Sequence, residues 1–335
     1  MSATSATSAT EGTADTPLRI LAHLDPPPAL RARLDRHLDG LDVRWCAEDD
    51  EARLAALLPD TEVLWHVLRP VTAADLERAP RLRLIQKLGS GVNTIDLDQA
   101  RKRSVAVANM PGANAQAVTE ATLALMLAAM RRVIPLDADT RAGRGWPLET
   151  AQAEHLGELG GRTVGLIGFG QVARRLAPVL TALGARVLRH DRSGGAAVEG
   201  DPGDTPWRPL ETLLAESDVV SLHLPLTEHT EGLLDARRIG LMKPGALLVN
   251  TARGGLVDES ALTAALRDGR LGAAGLDVFA QEPVAPDNPL LALPNVVVAP
   301  HLAWLTAETL ERCVAIAADN ARRLASGAEV AHRVE

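Results

Sequence analysis

The sequence predicts an α/β protein of two doubly wound domains, each built on a parallel sheet. Three observations predict it. Short apolar runs alternate with amphipathic helical patterns, the rhythm of βαβ units. That rhythm is interrupted once, by Gly143, Gly145, Pro147, Gly157, Gly160 and Gly161, and then starts afresh. A chain of 335 residues suits about two domains of ordinary size.

The elements follow in order. Residues 1–17 repeat Ser-Ala-Thr three times and read as a disordered tail. The tail lacks the basic and apolar regions of a secretory signal, and its first arginine is Arg19, so the expected compartment is the cytoplasm. Residues 18–23, 63–67, 84–87 and 105–108 are apolar and short enough for buried strands. Helical patterns over 29–38, 50–58, 72–79 and 94–103 lie between them. Residues 113–132, rich in Ala, Leu and Met, predict a longer helix buried on most faces. The second series predicts strands at 163–167, 186–190, 219–224, 246–250, 272–276 and 296–298. Its helices are expected at 171–183, with Gly184 as stop, at 259–266, and at 307–324, ending near Gly327.

Composition removes several classes of function. The chain is 46% hydrophobic and 23% charged, which is ordinary for a globular protein and excludes a disordered one. With 35 basic and 43 acidic side chains the net charge is −8, against binding to bulk nucleic acid or anionic membranes. No apolar run reaches the roughly 18 residues of a membrane span. Cys46 and Cys313 are the only cysteines, too few for a disulfide framework or a four-cysteine zinc site, and no metal site is expected.

The segment 165–173 closes a strand and opens a helix. Gly168, Gly170 and Ala173 match the dinucleotide fingerprint in its G-x-G-x-x-A form. The first glycine permits the tight turn. The second lets a pyrophosphate approach the backbone, and the alanine lets helix and strand pack closely. The amides of Gln171 and Val172 would then face the anion at the helix N-terminus. Asp191 stands at the end of the next strand, at the spacing of the acid that holds the adenosine ribose hydroxyls. It favours NAD, because it would repel a 2′-phosphate. Arg192 and Ser193 follow it and leave NADP possible.

Three later segments carry titratable or charged groups just past a strand, where open α/β sheets place ligands. They contribute Arg253, then Asp277 and Glu282, then His301. The set suits reduction of a 2-oxo acid. Arg253 can grip a carboxylate with two parallel N–H bonds. His301 can protonate the forming alkoxide. Glu282 beside it would favour the charged ring. Asp277 could accept a hydrogen bond from the nicotinamide carboxamide.

On these residues, and over most of 18–325, the chain resembles the D-isomer-specific 2-hydroxyacid dehydrogenase family. The resemblance implies a Rossmann dinucleotide domain, 113–304, inserted into a flavodoxin-like substrate domain, 18–112 completed by 305–335. It implies Arg253, Glu282 and His301 as catalytic residues. Cofactor contacts carry over onto Gln171, Val172, Asp191, Leu224, Pro225, Thr230, Thr251, Ala252 and Asp277. The Gly-rich segment 87–93 would bind the substrate carboxylate through Ser90 and Gly91, with Lys87 as electrostatic support. The reaction would lie in the cleft between the domains. A homodimer through the dinucleotide domains is implied, with residues 113–132 and the Trp146 region as interface. Thr119 stands where the family usually has Ala, a change expected to touch helix packing only. Trp304, after His301, resembles members acting on glyoxylate, hydroxypyruvate or glycerate. Trp65 and His66 are expected in a loop bordering the substrate. No appended regulatory domain is expected beyond Glu335.

The expected function is therefore NAD(P)-dependent interconversion of a small 2-oxo acid and its D-2-hydroxy acid by hydride transfer. Two alternatives share the scaffold: an NAD-sensing, corepressor-like interaction module, and a formate- or phosphite-type dehydrogenase. The pairing of Glu282 with His301 favours the oxo acid.

Overall fold

The structure, a computed structural model, describes residues 17–146, 156–196 and 205–334. The expected disorder of the tail, and Pro147 of the expected break, lie outside these residues. Two compact units emerge. One runs up to Met110 and resumes at Glu311; the other is Pro111–Leu310.

The first unit alternates β1 (Arg19–Ala22), α1 (Pro28–Asp35), β2 (Asp42–Trp45), α2 (Glu51–Leu57), β3 (Val63–His66), α3 (Ala73–Arg78), β4 (Leu84–Lys87), α4 (Leu97–Lys102) and β5 (Ala106–Ala108). Its strands form one parallel sheet in the order β2-β1-β3-β4-β5. The helices start on polar caps. Thr72 and Asp75 close a reciprocal capping box on α3, and Asp50 and Asp96 cap α2 and α4. Every side chain of β3 and β4 is buried, so both strands read as unbroken runs. Strand β2 was not expected. It sits at the sheet edge and carries Asp42 and Arg44, so no apolar run marks it. The end of α11 (Ala307–Ala325) belongs to this unit. There the buried Asn320 donates from Nδ2 to Gln86 Oε1 at 2.6 Å and accepts from the Ala331 amide at 2.9 Å.

The second unit begins with α5 (Ala115–Met130) and α6 (Val133–Arg141). It continues with β6 (Thr163–Ile167), α7 (Gln171–Ala182), β7 (Arg186–His190), α8 (Leu210–Glu216), β8 (Val219–Leu222) and α9 (Ala236–Leu241). Then come β9 (Ala246–Asn250), α10 (Glu259–Arg267), β10 (Leu271–Leu276) and β11 (Val296–Val298). The parallel sheet has the order β11-β10-β9-β8-β6-β7. Alternate side chains feed two cores: Leu247 and Val249 pack with α5 and α7, while Ala246 and Leu248 pack with α8, α9 and α10. Thr119 lies buried in α5, its hydroxyl donating to the Ala115 carbonyl at 2.7 Å. Helices α8 and α9 were not expected. Helix α6 was missed because it has no buried stripe. From β6 the chain goes to β7 on one side and returns to β8 on the other. That reversal opens a crevice at the carboxyl ends of β6 and β8, where such sheets bind ligands.

Candidate active site

The turn after β6 lies at this reversal. Gly168 has φ +89°, and a Cβ on it would come within 2.5 Å of the His223 carbonyl oxygen, so only glycine fits. Its amide donates to the His190 carbonyl at 2.8 Å. Gly170 caps α7, and a Cβ there would point into open space. Ala173 is fully buried and lets α7 approach the sheet. The Gln171 side chain lies against Gly112, where a Cβ would collide with its amide. The free space above Gly170, next to the first amides of a twelve-residue helix, fits a pyrophosphate.

Asp191 follows β7. Burial opposes its charge, but hydrogen bonds from Ser193 and Arg189 outweigh burial and hold the carboxyl below its ordinary value. Across the crevice, after β8, Thr230 ties its loop: Oγ1 accepts from the Thr227 amide and donates to the Pro225 carbonyl, both at 2.8 Å. Leu224 comes within 2.9 Å of where a Gly168 Cβ would stand.

After β9, Thr251 Oγ1 bonds Thr122 Oγ1 of α5 at 2.8 Å, and the Ala252 amide donates to Asn250 Oδ1 at 3.0 Å. Asn250 Nδ2 in turn donates to the Arg253 carbonyl at 2.8 Å. Arg253 Nη1 donates to the Ala252 carbonyl at 2.6 Å, while burial pulls the guanidinium below its ordinary value and Glu282 works the other way. Gly254 is buried against the Phe279 backbone, and a Cβ on it would lie 1.9 Å from the Phe279 carbonyl carbon. No side chain fits between the Arg253 turn and the loop leading to Glu282.

His301 Nδ1 meets Glu282 Oε2 at 2.6 Å, and Glu282 Oε1 accepts from the Phe279 amide at 3.0 Å. Burial resists ionisation of Glu282. His301, the Phe279 amide and Arg253 together overcome it and hold the carboxyl below its usual range. His301 has φ +57°, a conformation that costs a non-glycine residue about 1 kcal/mol. Asp277 holds it there. Its carbonyl accepts from the His301 amide at 2.8 Å, and its two carboxylate oxygens accept from Leu302 N at 2.9 Å and Ala303 N at 3.0 Å. The residue read from sequence as a nicotinamide contact thus also shapes the turn under the imidazole. Trp304 is buried, and its Nε1 has no partner among the described residues.

The second unit therefore gathers Gly168, Gly170, Asp191, Arg253, Asp277, Glu282 and His301 at the carboxyl edge of one sheet. Ser90, Gly91 and Lys87 belong to the other unit. Ser90 Oγ donates to the Met110 carbonyl at 3.3 Å, and Asn109 Nδ2 donates to the Ser90 carbonyl at 2.8 Å. Lys87 Nζ turns into that unit's interior, donating to the Val67 carbonyl and lying 3.3 Å from His66 Nδ1. The expectation for Trp65 and His66 is corrected. Both lie in β3, an interior strand covered on both faces, and neither is in a loop. Sequence reasoning did not identify Asn250, Gly254 or Arg189 as organisers of the site. Gly254, in Arg253-Gly254-Gly255, was the one that carried a signal, since paired glycines mark a close backbone approach.

A turn built for a dinucleotide, beside a guanidinium and a carboxylate-held imidazole, defines a hydride-transferring oxidoreductase. The family model for the NAD binding domain of D-isomer specific 2-hydroxyacid dehydrogenases matches residues 123–303. A glyoxylate reductase of Aeropyrum pernix is 44% identical over 255 residues, 75% of this chain and 76% of that protein. A D-3-phosphoglycerate dehydrogenase of Mycobacterium leprae is 39% identical over 86% of this chain, which spans 54% of that longer protein. The crystal structure of the TT0316 protein from Thermus thermophilus superposes with a TM-score of 0.83 at 38% identity, covering 95% of this chain and all of that one. The chain belongs to the D-isomer specific 2-hydroxyacid dehydrogenase family, which interconverts 2-oxo and 2-hydroxy acids with a nicotinamide dinucleotide.

Proposed function

We propose that this protein reduces a small 2-oxo acid to its D-2-hydroxy acid with NADH, and catalyses the reverse reaction. The observation that carries the assignment of roles is the 2.6 Å contact between His301 Nδ1 and Glu282, with Arg253 close enough to act on Glu282's charge. Gly168, Gly170, Gln171, Val172, Asp191, Leu224, Pro225, Thr230, Thr251, Ala252 and Asp277 hold the dinucleotide. When bound, the reduced nicotinamide supplies the hydride that C2 of the acid receives. Arg253 pairs with the substrate carboxylate and polarises the oxo group. Glu282 fixes the ring through Nδ1, so Nε2 is the atom that gives its proton to the oxygen. In oxidation Nε2 takes that proton back. Ser90 and Gly91 assist in holding the carboxylate.

Residues 18–112 with 305–335 form the substrate-binding part and 113–304 the dinucleotide-binding part. The protein works in the cytoplasm. Among the described residues no helix is long and apolar enough to cross a membrane. It works as a homodimer through the dinucleotide-binding part, where Trp146, Val133 and Ile134 are all exposed. Sedimentation as a monomer at working concentration would remove the dimer.

The test is a panel of oxo acids: glyoxylate, hydroxypyruvate, pyruvate, phenylpyruvate and 2-oxoisocaproate, followed by loss of NADH absorbance. At least one is reduced by the wild type, and H301A lowers the reductive kcat by about 10²–10⁴-fold. An unchanged kcat in H301A removes His301 as proton donor.

A further inference from the structure

Asp191 does not act alone. Arg189 leaves β7 two residues earlier, is 4% exposed, and donates from Nη1 to both Asp191 Oδ2 and Ser193 Oγ. Two further donors are committed as well. Nε reaches the Thr205 carbonyl at 3.1 Å and Nη2 the Ala196 carbonyl at 3.0 Å. Its guanidinium carbon lies 5.3 Å from the centre of the Phe169 ring, within cation–π range. Phe169 is the residue between Gly168 and Gly170. One buried cation thus bridges the pyrophosphate turn and the acid expected to hold the ribose.

This changes the electrostatics of the ribose end. A lone carboxylate repels a 2′-phosphate strongly, because both charges meet in a partly desolvated place. A guanidinium fixed on that carboxylate cancels much of the field. Arg192, exposed beside it, adds a second positive charge. The carboxylate keeps its function toward ribose hydroxyls, since each oxygen has a further lone pair to offer.

We propose that Arg189 is a specificity-determining residue for the coenzyme: its ion pair with Asp191 lowers the penalty against a 2′-phosphate, so the protein takes NADPH as a second coenzyme beside NADH. The inference rests on the reading of the Gly168–Asp191 region as the dinucleotide site.

Calorimetric titration of the full chain with NADH and with NADPH tests both. Wild type binds the two with dissociation constants within about 100-fold of each other, a gap below about 3 kcal/mol. NADPH binding weakens more steeply with added salt than NADH binding, because screening removes an attraction. R189M widens the ratio by about tenfold or more, and R189K, which restores the charge, brings it back to within about threefold of wild type. Equal weakening of both coenzymes in R189M, with the ratio unmoved, overturns the inference and leaves Arg189 as a loop anchor. So does a wild type that binds NADH but not NADPH. If R189M shows no thermal unfolding transition, the wild-type salt dependence decides, and a slope no steeper for NADPH overturns the inference. Failure to bind NADH at all overturns the coenzyme site itself, which is a separate result.

Discussion

His66 and His301 each stand near a strand end beside a charged partner, one in each unit, and their surroundings send them in opposite directions. His66 is sealed inside the first unit. Its Nε2 pairs with the Arg69 carbonyl at 2.8 Å, and its Nδ1 faces the Lys87 ammonium at 3.3 Å. Burial, and then Lys87, push its pKa well below the ordinary 6.5, so the ring is neutral. The neighbouring charges are spent on structure: Glu51 and Asp75 clamp the Arg69 guanidinium at 2.6 and 2.9 Å, and Glu48 accepts the amides of Leu68 and Arg69. His301 instead faces a carboxylate, keeps 21% of its side chain exposed, and rests on a turn held by Asp277. The sign of the partner and access to solvent separate a ring that packs from a ring that can exchange a proton.

After H301A, the largest expected effect attacks the partner on the catalytic side. E282Q keeps the shape and removes the charge, and the reductive kcat should fall by about 10–100-fold. If it does not, Glu282 only orients the ring and the contrast with Lys87 loses its meaning. The pH profile sharpens the same point. The Glu282 carboxyl is depressed in the folded state, so its ion pair is present above the ordinary carboxyl value of 4.5 and is lost as pH falls through the lower folded value. Reduction should therefore hold on the acid side down to that region and fall below it, as a pH series of kcat would show.

A smaller effect is expected from the sealed ring. H66F leaves the Arg69 carbonyl without its partner and should cost about 1–3 kcal/mol of stability by urea titration, with kcat within about threefold of wild type. A large loss of kcat at unchanged stability would break the comparison from the other side. The smallest effect concerns a third ring. Burial pushes the pKa of His223 down to about 4, and Ser221 Oγ lies 2.9 Å from its Nε2. Between pH 6.5 and 4 the unfolded chain takes up a proton that the folded one refuses. Stability should fall across that window, by about 1–2 kcal/mol given the ring's partial contact with solvent, and not further below it. H223N should flatten this part of the stability profile.

The carboxyl-edge residues were legible in the sequence because they follow short apolar strands, and two of them are flanked by small residues or proline, in Ala252-Arg253-Gly254 and Pro300-His301. The fully buried strands were legible for the same reason. Edge strand β2 was not, because one of its faces is polar. Residues 63–67 were legible as a buried strand, and Trp65 and His66 were misplaced only by the resemblance, which set them in a loop. The bracing of the His301 turn by Asp277 depends on amides 25 and 26 residues later, a distance no local pattern spans. Arg189 was silent because an arginine near a strand end usually points to water; here the Asp191–Ala196 loop folds back and encloses it.

At Gly254 the polypeptide touches its own main chain with no room for a single methyl group. The Arg253 turn and the segment leading to Glu282 are thus seated on one another like two stones of an arch. Neither can be shifted alone to admit a bulkier molecule.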